Sequence, residues 1–277
     1  MKEKIVVPYA PILVESTRSI GYSFEAAVAD IIDNSISALA SEIRVLFSSK
    51  EPQYLCIEDN GWGMNTDELE NAMRYGSQSS SDKRRKDDLG RFGLGLKMAS
   101  LSQCRKVTVL SRKDGSICAA CWDLDYIIQQ GNWALKLFQE EETRNILGYD
   151  YLQSKQSGTV VIWEEFDRLQ QRAVNIQKAF DEKIDLTRNH LSLVFHRFIS
   201  DENPKNHISI IFNGETLKGI DPFLTKHPAT QPMSEQVLRI ASDEIRVKPF
   251  VLPHISKLSC QDMEMLGGKD NLRQQQG

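Results

Sequence analysis

Three short stretches of this chain group residue types that hold ions, water and phosphate. The first is AAVADIIDNSISALA, Ala26 to Ala40. Asp30, Asn34 and Ser37 recur there at i, i+4 and i+7, which puts them on one stripe of a helix. A surface helix normally carries long charged side chains on its polar side. This stripe carries short acids, an amide and a hydroxyl, flanked by Asp33 and Ser35, and these suit a hydrated metal ion or a water molecule. The second stretch is DNGWGM, starting at Asp59. A carboxylate at a strand end can accept a hydrogen bond from an exocyclic amine, and Gly61 and Gly63 let the backbone turn sharply beside a flat ligand. The third is LGRFGLGLKMASLSQC, Leu89 to Cys104, with Gly90, Gly93 and Gly95 packed before a helix. Such a turn presents unpaired N–H groups and the positive end of a helix dipole, a site for phosphate. Lys97 opposes that dipole in the first turn, which makes sense beside an anion. Singly, each stretch also has an ordinary reading: a solvated helix face, an Asn-Gly turn, a glycine-rich loop.

The elements that must position these stretches follow from periodicity. Phe24, Val28, Ile31, Ile32 and Leu39 recur at helical spacing and predict the core face of the first helix. Ile43–Ser49 and Tyr54–Asn60 predict strands joined by a hairpin at Glu51-Pro52-Gln53. Thr66 is expected to cap a short helix, Asp67 to Arg74. Residues 76–89 are small, polar and charged without apolar periodicity, the pattern of a loop that can act as a lid. Lys83, Arg84, Arg85 and Lys86 in it could meet phosphates, although a solvated charge run is the simpler expectation. Strands are then expected at Lys106–Arg112, Ser116–Asp125, Asn132–Phe138 and Gly158–Phe166, the last opening with Thr159. Two helices, Arg168–Glu182 and Leu186–Ile199, precede ISIIFNGETLKGIDPF, read as strand, turn and short strand. The shift in composition places a boundary near 180–186.

Composition sets the class. A chain of 277 residues, 40% hydrophobic and 26% charged, can bury a large core. A net charge of −4 gives no global case for nucleic acid or an anionic membrane. No apolar run is long enough to span a bilayer and the N-terminus is a poor signal peptide, so a cytoplasmic protein with no membrane partner is expected. Cys118 and Cys121 have CxxC spacing, but on a strand they fall on opposite faces. With no second pair and no nearby histidine, they read as structural.

Taken in order, DIIDNS on a helix, DNGWGM after a strand, a polar loop and GRFGLGLK before a helix, the chain resembles the GHKL ATPases. These are the type II topoisomerase ATPase subunits, the ninety-kilodalton heat-shock chaperones, histidine kinases, MutL proteins and the MORC proteins. The shared signature spans about residues 20–166. The resemblance implies an α/β (α+β) two-layer Bergerat sandwich over residues 1–183. Part of a ribosomal-S5-like transducer domain would follow over 184–277, cut short at Gly277. It implies ATP and Mg2+ as ligands. Asn34 matches the metal ligand, and Asp59 the acceptor for the adenine amine, with Gly61, Gly63, Met64 and Thr159 around the base. Gly90, Gly93, Leu94, Gly95 and Leu96 match the phosphate turn, and Lys97 is expected to touch a phosphate. The general-base position, usually glutamate, holds Asp30, which is one methylene shorter. Glu25 lies five residues earlier, roughly 140° around the helix, and does not replace it.

GRFGLGLKMAS is most similar to the MORC and heat-shock-chaperone pattern. That branch implies ATP hydrolysis, an ATP-dependent homodimer and a DNA or protein client. A nucleotide-gated binding module without turnover shares the same pocket. A histidine-kinase-type phosphotransferase is the least favoured reading, because the acceptor helix pair is lacking.

Overall fold

The computed structural model describes residues 3–4, 7–19, 21–75, 95–172, 174–200, 207–240 and 243–266. The expected loop at 76–89, its basic run Lys83 to Lys86, and Gly90, Gly93 and Leu94 lie outside the described residues. The chain divides into two compact units: Met1–Leu191 with Phe198–Leu217, and Ser192–Arg197 with Lys218–Gly277.

The first unit is built on one mixed sheet of eight strands. In chain order these are β1 (Glu42–Ser48), β2 (Tyr54–Asp59), β3 (Lys106–Lys113), β4 (Ser116–Asp123), β5 (Lys136–Leu137), β6 (Gly158–Glu164), β7 (Ser209–Phe212) and β8 (Glu215–Thr216). They lie in the order β5-β4-β3-β6-β2-β1-β7-β8. β7 runs parallel to β1, and the other neighbours are antiparallel. The central strand β6 alternates by face. Val161 and Trp163 align with Ile57 and Leu55 of β2 and with Val109 and Val107 of β3. Val160 and Ile162 point the other way, into a core with Cys56, Leu110, Tyr151 and Leu152. A sheet buried on both faces explains why these strands read as continuous apolar runs.

Helices α1 (Ala10–Arg18), α2 (Phe24–Ser37), α3 (Thr66–Met73) and α4 (Gly95–Gln103) belong to this unit. So do α5 (Leu124–Gln130), α6 (Glu140–Thr143), α7 (Tyr149–Ser154), α8 (Asp167–Arg172) and most of α9 (Ile176–Val194). Phe24 of α2 packs edge-on to Trp163, and the Trp163 indole N–H donates to Ser100 Oγ of α4 at 2.8 Å. Those contacts seat α2 and α4 on one face of the sheet. α7 packs on the opposite face, a small second helix layer that the strand pattern did not announce. Arg18, 3% exposed, ties α1 to α4 and α8. It donates to Leu101 O at 2.7 Å and pairs with Asp167 at 2.6 Å.

Several expectations change. The first helix ends at Ser37, and Leu39 leaves it in the left-handed region (φ +57°), 65% exposed rather than in the core. Asn65, not Thr66, caps α3, and Glu68 closes the capping box. The strand expected over Asn132–Phe138 is only Lys136–Leu137, and Asp123 ends β4 by capping α5. The two helices expected over 168–199 are three, α8, α9 and α10 (His196–Ile199), and α9 runs unbroken through the expected gap at residues 183–185. The largest correction concerns Ile208 to Thr216, expected to lie within a second domain over 184–277. Its hairpin turns at Asn213-Gly214, both at positive φ, as expected. Yet β7 adds to the edge of β1, and Phe212 packs on Phe47 at 5.6 Å between ring centres, so the segment completes the first sheet. Edge pairing and aromatic burial are tertiary outcomes that a local pattern does not encode.

The second unit holds two two-stranded ladders among the described residues, with a small core of Leu224 and Leu266 packed by Leu252, Leu258 and Met263. No larger sheet of a ribosomal-S5-like domain is present among the described residues. No helix among the described residues is long and apolar enough to cross a membrane.

Phe212 is fully buried in the first unit. Phe212→Ala should destabilise that unit by about 3–5 kcal/mol. Urea unfolding followed by tryptophan fluorescence checks this, and an unchanged midpoint would detach β7 from the folding unit.

Candidate functional site

One row of side chains crosses the middle of the sheet. Asp59 ends β2, Thr159 opens β6 and Ser111 lies on β3, and the registers put Thr159 opposite both. Cross-strand neighbours point to the same face, so the row faces α2 and α4. The Asp59 carboxylate is 5% exposed. Oδ1 accepts the N–H of Gly61 at 2.9 Å and of Thr159 at 3.3 Å, and Oδ2 accepts the Ser35 hydroxyl at 2.9 Å. Burial pushes the carboxyl up, and those three donors pull it back. Ser111 Oγ donates to Gly158 O at 3.0 Å and accepts the Met64 N–H at 2.8 Å. Its contact with Thr159 Oγ1, 3.1 Å, therefore takes the Thr159 proton, because a hydroxyl has only one to give.

The glycines of DNGWGM serve the protein backbone first. A Cβ at Gly63, which has φ +66°, would sit 1.9 Å from Arg112 O. A Cβ at Gly61 would sit 2.8 Å from Ala38, and one at Gly158 would sit 2.2 Å from Asp59 O. The close approach expected for a ligand is made here by neighbouring backbone, which brings the turn down onto β3 and β6.

Asp30 and Asn34 lie on α2, with Asp30 half-buried and Asn34 exposed one turn later. α4 begins opposite them. A Cβ built on Gly95 would lie 3.5 Å from Asp30 Oδ2, so the first residue of α4 faces that carboxylate. The described start of α4 is therefore next to Asp30. Burial pushes the Asp30 carboxyl up, and a hydrogen bond from Tyr22 pulls it partly back. Asp33 is raised to about 6 by burial and by the neighbouring Asp30.

The Lys97 side chain is bonded to another helix in this structure. It is 1% exposed, and its ammonium donates to Ala72 O and Arg74 O, each at 2.8 Å. Those carbonyls end α3, where a cation is favoured by the dipole. The sequence located the lysine on α4 but could not show which helix end its long side chain reaches. Leu96 is half-buried beside it.

Ser111 and Tyr22 are residues that sequence reasoning missed, and Ser35, read as flanking the polar stripe, turns instead to Asp59. Ser35 had a signal: with Val28, Ile31 and Ile32 it shares the i, i+3, i+4, i+7 stripe that α2 buries. A hydroxyl on an apolar stripe needs a buried partner, and Asp59 is that partner. Nothing local distinguishes Ser111 or Tyr22.

A family described as "Histidine kinase-, DNA gyrase B-, and HSP90-like ATPase" matches residues 22–159, the segment that carries Asp30, Asn34, Asp59, Gly95 and Thr159. The chain thus contains a GHKL-superfamily ATPase domain, and the mixed sheet with its helices is the arrangement of a Bergerat ATP-binding fold. A curated relative, ATPase morc-1 of Caenorhabditis elegans, is 30% identical over 95 residues, which is 34% of this chain and 11% of the relative. The match therefore spans about a tenth of that protein's length.

The residues present suit a nucleotide with its metal. Asp59 Oδ2 takes a single donor, Ser35, which leaves capacity for an amine. No cluster of three or more metal-ligating side chains occurs among the described residues. Mg2+ needs none, because it takes one or two protein ligands and fills its shell with phosphate oxygens and water. Asp30 and Asp33, each raised by burial, suit an incoming cation.

The position of Lys97 has a measurable cost. Burial lowers its pKa from 10.5 to about 8. Between those values the unfolded chain binds more protons, so stability rises with pH there and is flat below 8. Lys97→Met lacks this dependence. From pH 7 to pH 9 the wild type should gain roughly 1 kcal/mol on the variant in urea unfolding. A constant difference would mean that the lysine is not buried.

Proposed function

We propose that this chain binds ATP with Mg2+ and hydrolyses it to ADP and phosphate. The observation that carries the reading is the Asp30 carboxylate facing the first described residue of α4, with the Asp59 row further along α2, at Ser35. Asp59 and Thr159 would hold the adenine, with Gly61, Gly63 and Met64 shaping the turn beside it. Gly95 and Leu96 would offer first-turn amides to the phosphates, continuing the sequence motif of Gly90, Gly93 and Leu94. Asn34 would hold the metal from the exposed side of α2. Mg2+ supplies neutralisation of phosphate charge when bound.

Asp30 is the general base in this reading. Its carboxylate orients a water and takes its proton as the water attacks the γ-phosphate. The upward shift of its pKa by burial makes it a better proton acceptor. Tyr22 holds one side of the carboxylate, which fixes its direction. The relative's designation as an ATPase supports hydrolysis. A MORC-like cycle adds dimerisation on ATP and remodelling of a DNA or protein client. Aspartate in place of the usual glutamate favours a second reading, a nucleotide-gated module that binds ATP with negligible turnover.

Turnover and binding measured on one set of proteins separate the two. Wild type should hydrolyse ATP, and Asp30→Ala should lower kcat by about 100-fold or more while ATP affinity is kept. Asn34→Ala should abolish the Mg2+ dependence of binding. Asp59→Asn should weaken ATP by about tenfold or more. Tight binding without turnover in wild type selects the module, and turnover undiminished in Asp30→Ala removes Asp30 as the base.

A further inference from the structure

Lys97 sits in the first turn of α4 and is one of the largest fully buried side chains of the described residues. A buried lysine is ordinarily matched to a carboxylate. Among the described residues, both partners of this one are main-chain carbonyls, Ala72 O and Arg74 O. Between them, Met73 O accepts the Trp122 indole N–H of β4 at 2.8 Å. Three successive carbonyls at the end of α3 are thus taken by side chains from two other elements. Carbonyls at a helix C-terminus lack intrahelical partners, so these bonds decide where the end of α3 sits.

α3 is itself a fixed platform. Asn65 and Glu68 close its capping box, and Lys113 of β3 pairs with Glu68 at 2.6 Å. Leu69 and Met73 are buried beneath it. A tie from α4 to this helix therefore fixes the first turn of α4 to the sheet. Two residues before Lys97, Gly95 faces Asp30.

We infer that Lys97 is a positioning residue for the phosphate end of the site: it ties the first turn of α4 to the last turn of α3 and touches no phosphate itself. The inference rests on the reading of the site as an ATP site. The lysine's own position at a helix N-terminus would repel its charge, and the α3 carbonyls supply the opposite pole. The side chain bridges the positive end of one helix to the negative end of another. It holds the α4 amides at a set distance from Asp30. The adenine end, built from β2, β3 and β6, is independent of this tie.

A ladder of ligands tests it. Affinities of adenosine, ADP and the non-hydrolysable β,γ-imido analogue of ATP are measured on wild type and Lys97→Met, well below the melting temperature of each. The inference expects unchanged adenosine binding and a matched loss for both phosphorylated ligands, roughly tenfold, the scale of one hydrogen bond to a charged group. Loss confined to the ATP analogue would mean a γ-phosphate contact and overturn it. Loss for all three would mean general damage to the fold, and loss for none would mean no role; either overturns it. Lys97→Gln keeps two N–H donors without the charge, so it should retain more affinity than Lys97→Met, whereas a phosphate contact would leave the two variants alike. If neither variant folds, NMR titration of the Lys97 ε-methylene in wild type decides. A midpoint unmoved by the magnesium–ATP analogue supports the tie, and an upward move of about a unit or more marks a phosphate. Wild type that binds none of the three ligands would refute the ATP site itself, a result distinct from any on this ladder.

Discussion

A carboxylate buried to 5% exposure must be met by donors, and Asp59 takes its donors from three separate elements. Ser35 reaches it from α2, Gly61 from the turn and Thr159 from β6. None of these can shift without leaving a buried charge short of a bond. The interaction therefore fixes the depth of α2 over the sheet, the path of the DNGWGM turn and the start of β6 together. Ser111 extends the same lattice to β3 and holds the Met64 amide. The residues of this row hold one another in place for this reason, and such mutual constraint is what a specific hydrogen-bonding site needs.

The middle of α2 works by a different physical means. Asp30 and Asp33 are raised by burial, and the nearby groups in the same space are the first turn of α4 and the Tyr22 hydroxyl. Among the described residues no counter-ion acts on Asp30 or Asp33. Lys97, a cation that looks like a phosphate ligand in the sequence, donates to the last carbonyls of α3. A GHKL-superfamily ATPase domain is in place.

The sequence carried much of this. The polar stripe on α2, the acid at the end of β2 and the glycine-rich start of α4 were all legible, because each is written in spacing over a few residues. The strands of the sheet centre were legible too, since double burial makes them apolar along their length. Less was visible where contacts are long-range. Ser111 lies 48 residues from Thr159 and looks like any strand serine until the register pairs them. The hairpin after Ile208 was recognised, but its place at the edge of β1 was not, because strand pairing across more than 160 residues has no local signature.

The sequence by itself determined the residue types of the site, their order and the helices and strands that bear them, since these follow from periodicity and turn chemistry. Tertiary structure alone decided which groups meet. Gly63 is glycine because Arg112 O passes 1.9 Å from where its Cβ would be. Ser35 is a serine because α2 lies over Asp59, and Lys97 is held by α3 because its four-carbon stem reaches the far helix end. Each depends on the packing of two elements distant in the chain, and no local pattern states the distance between them.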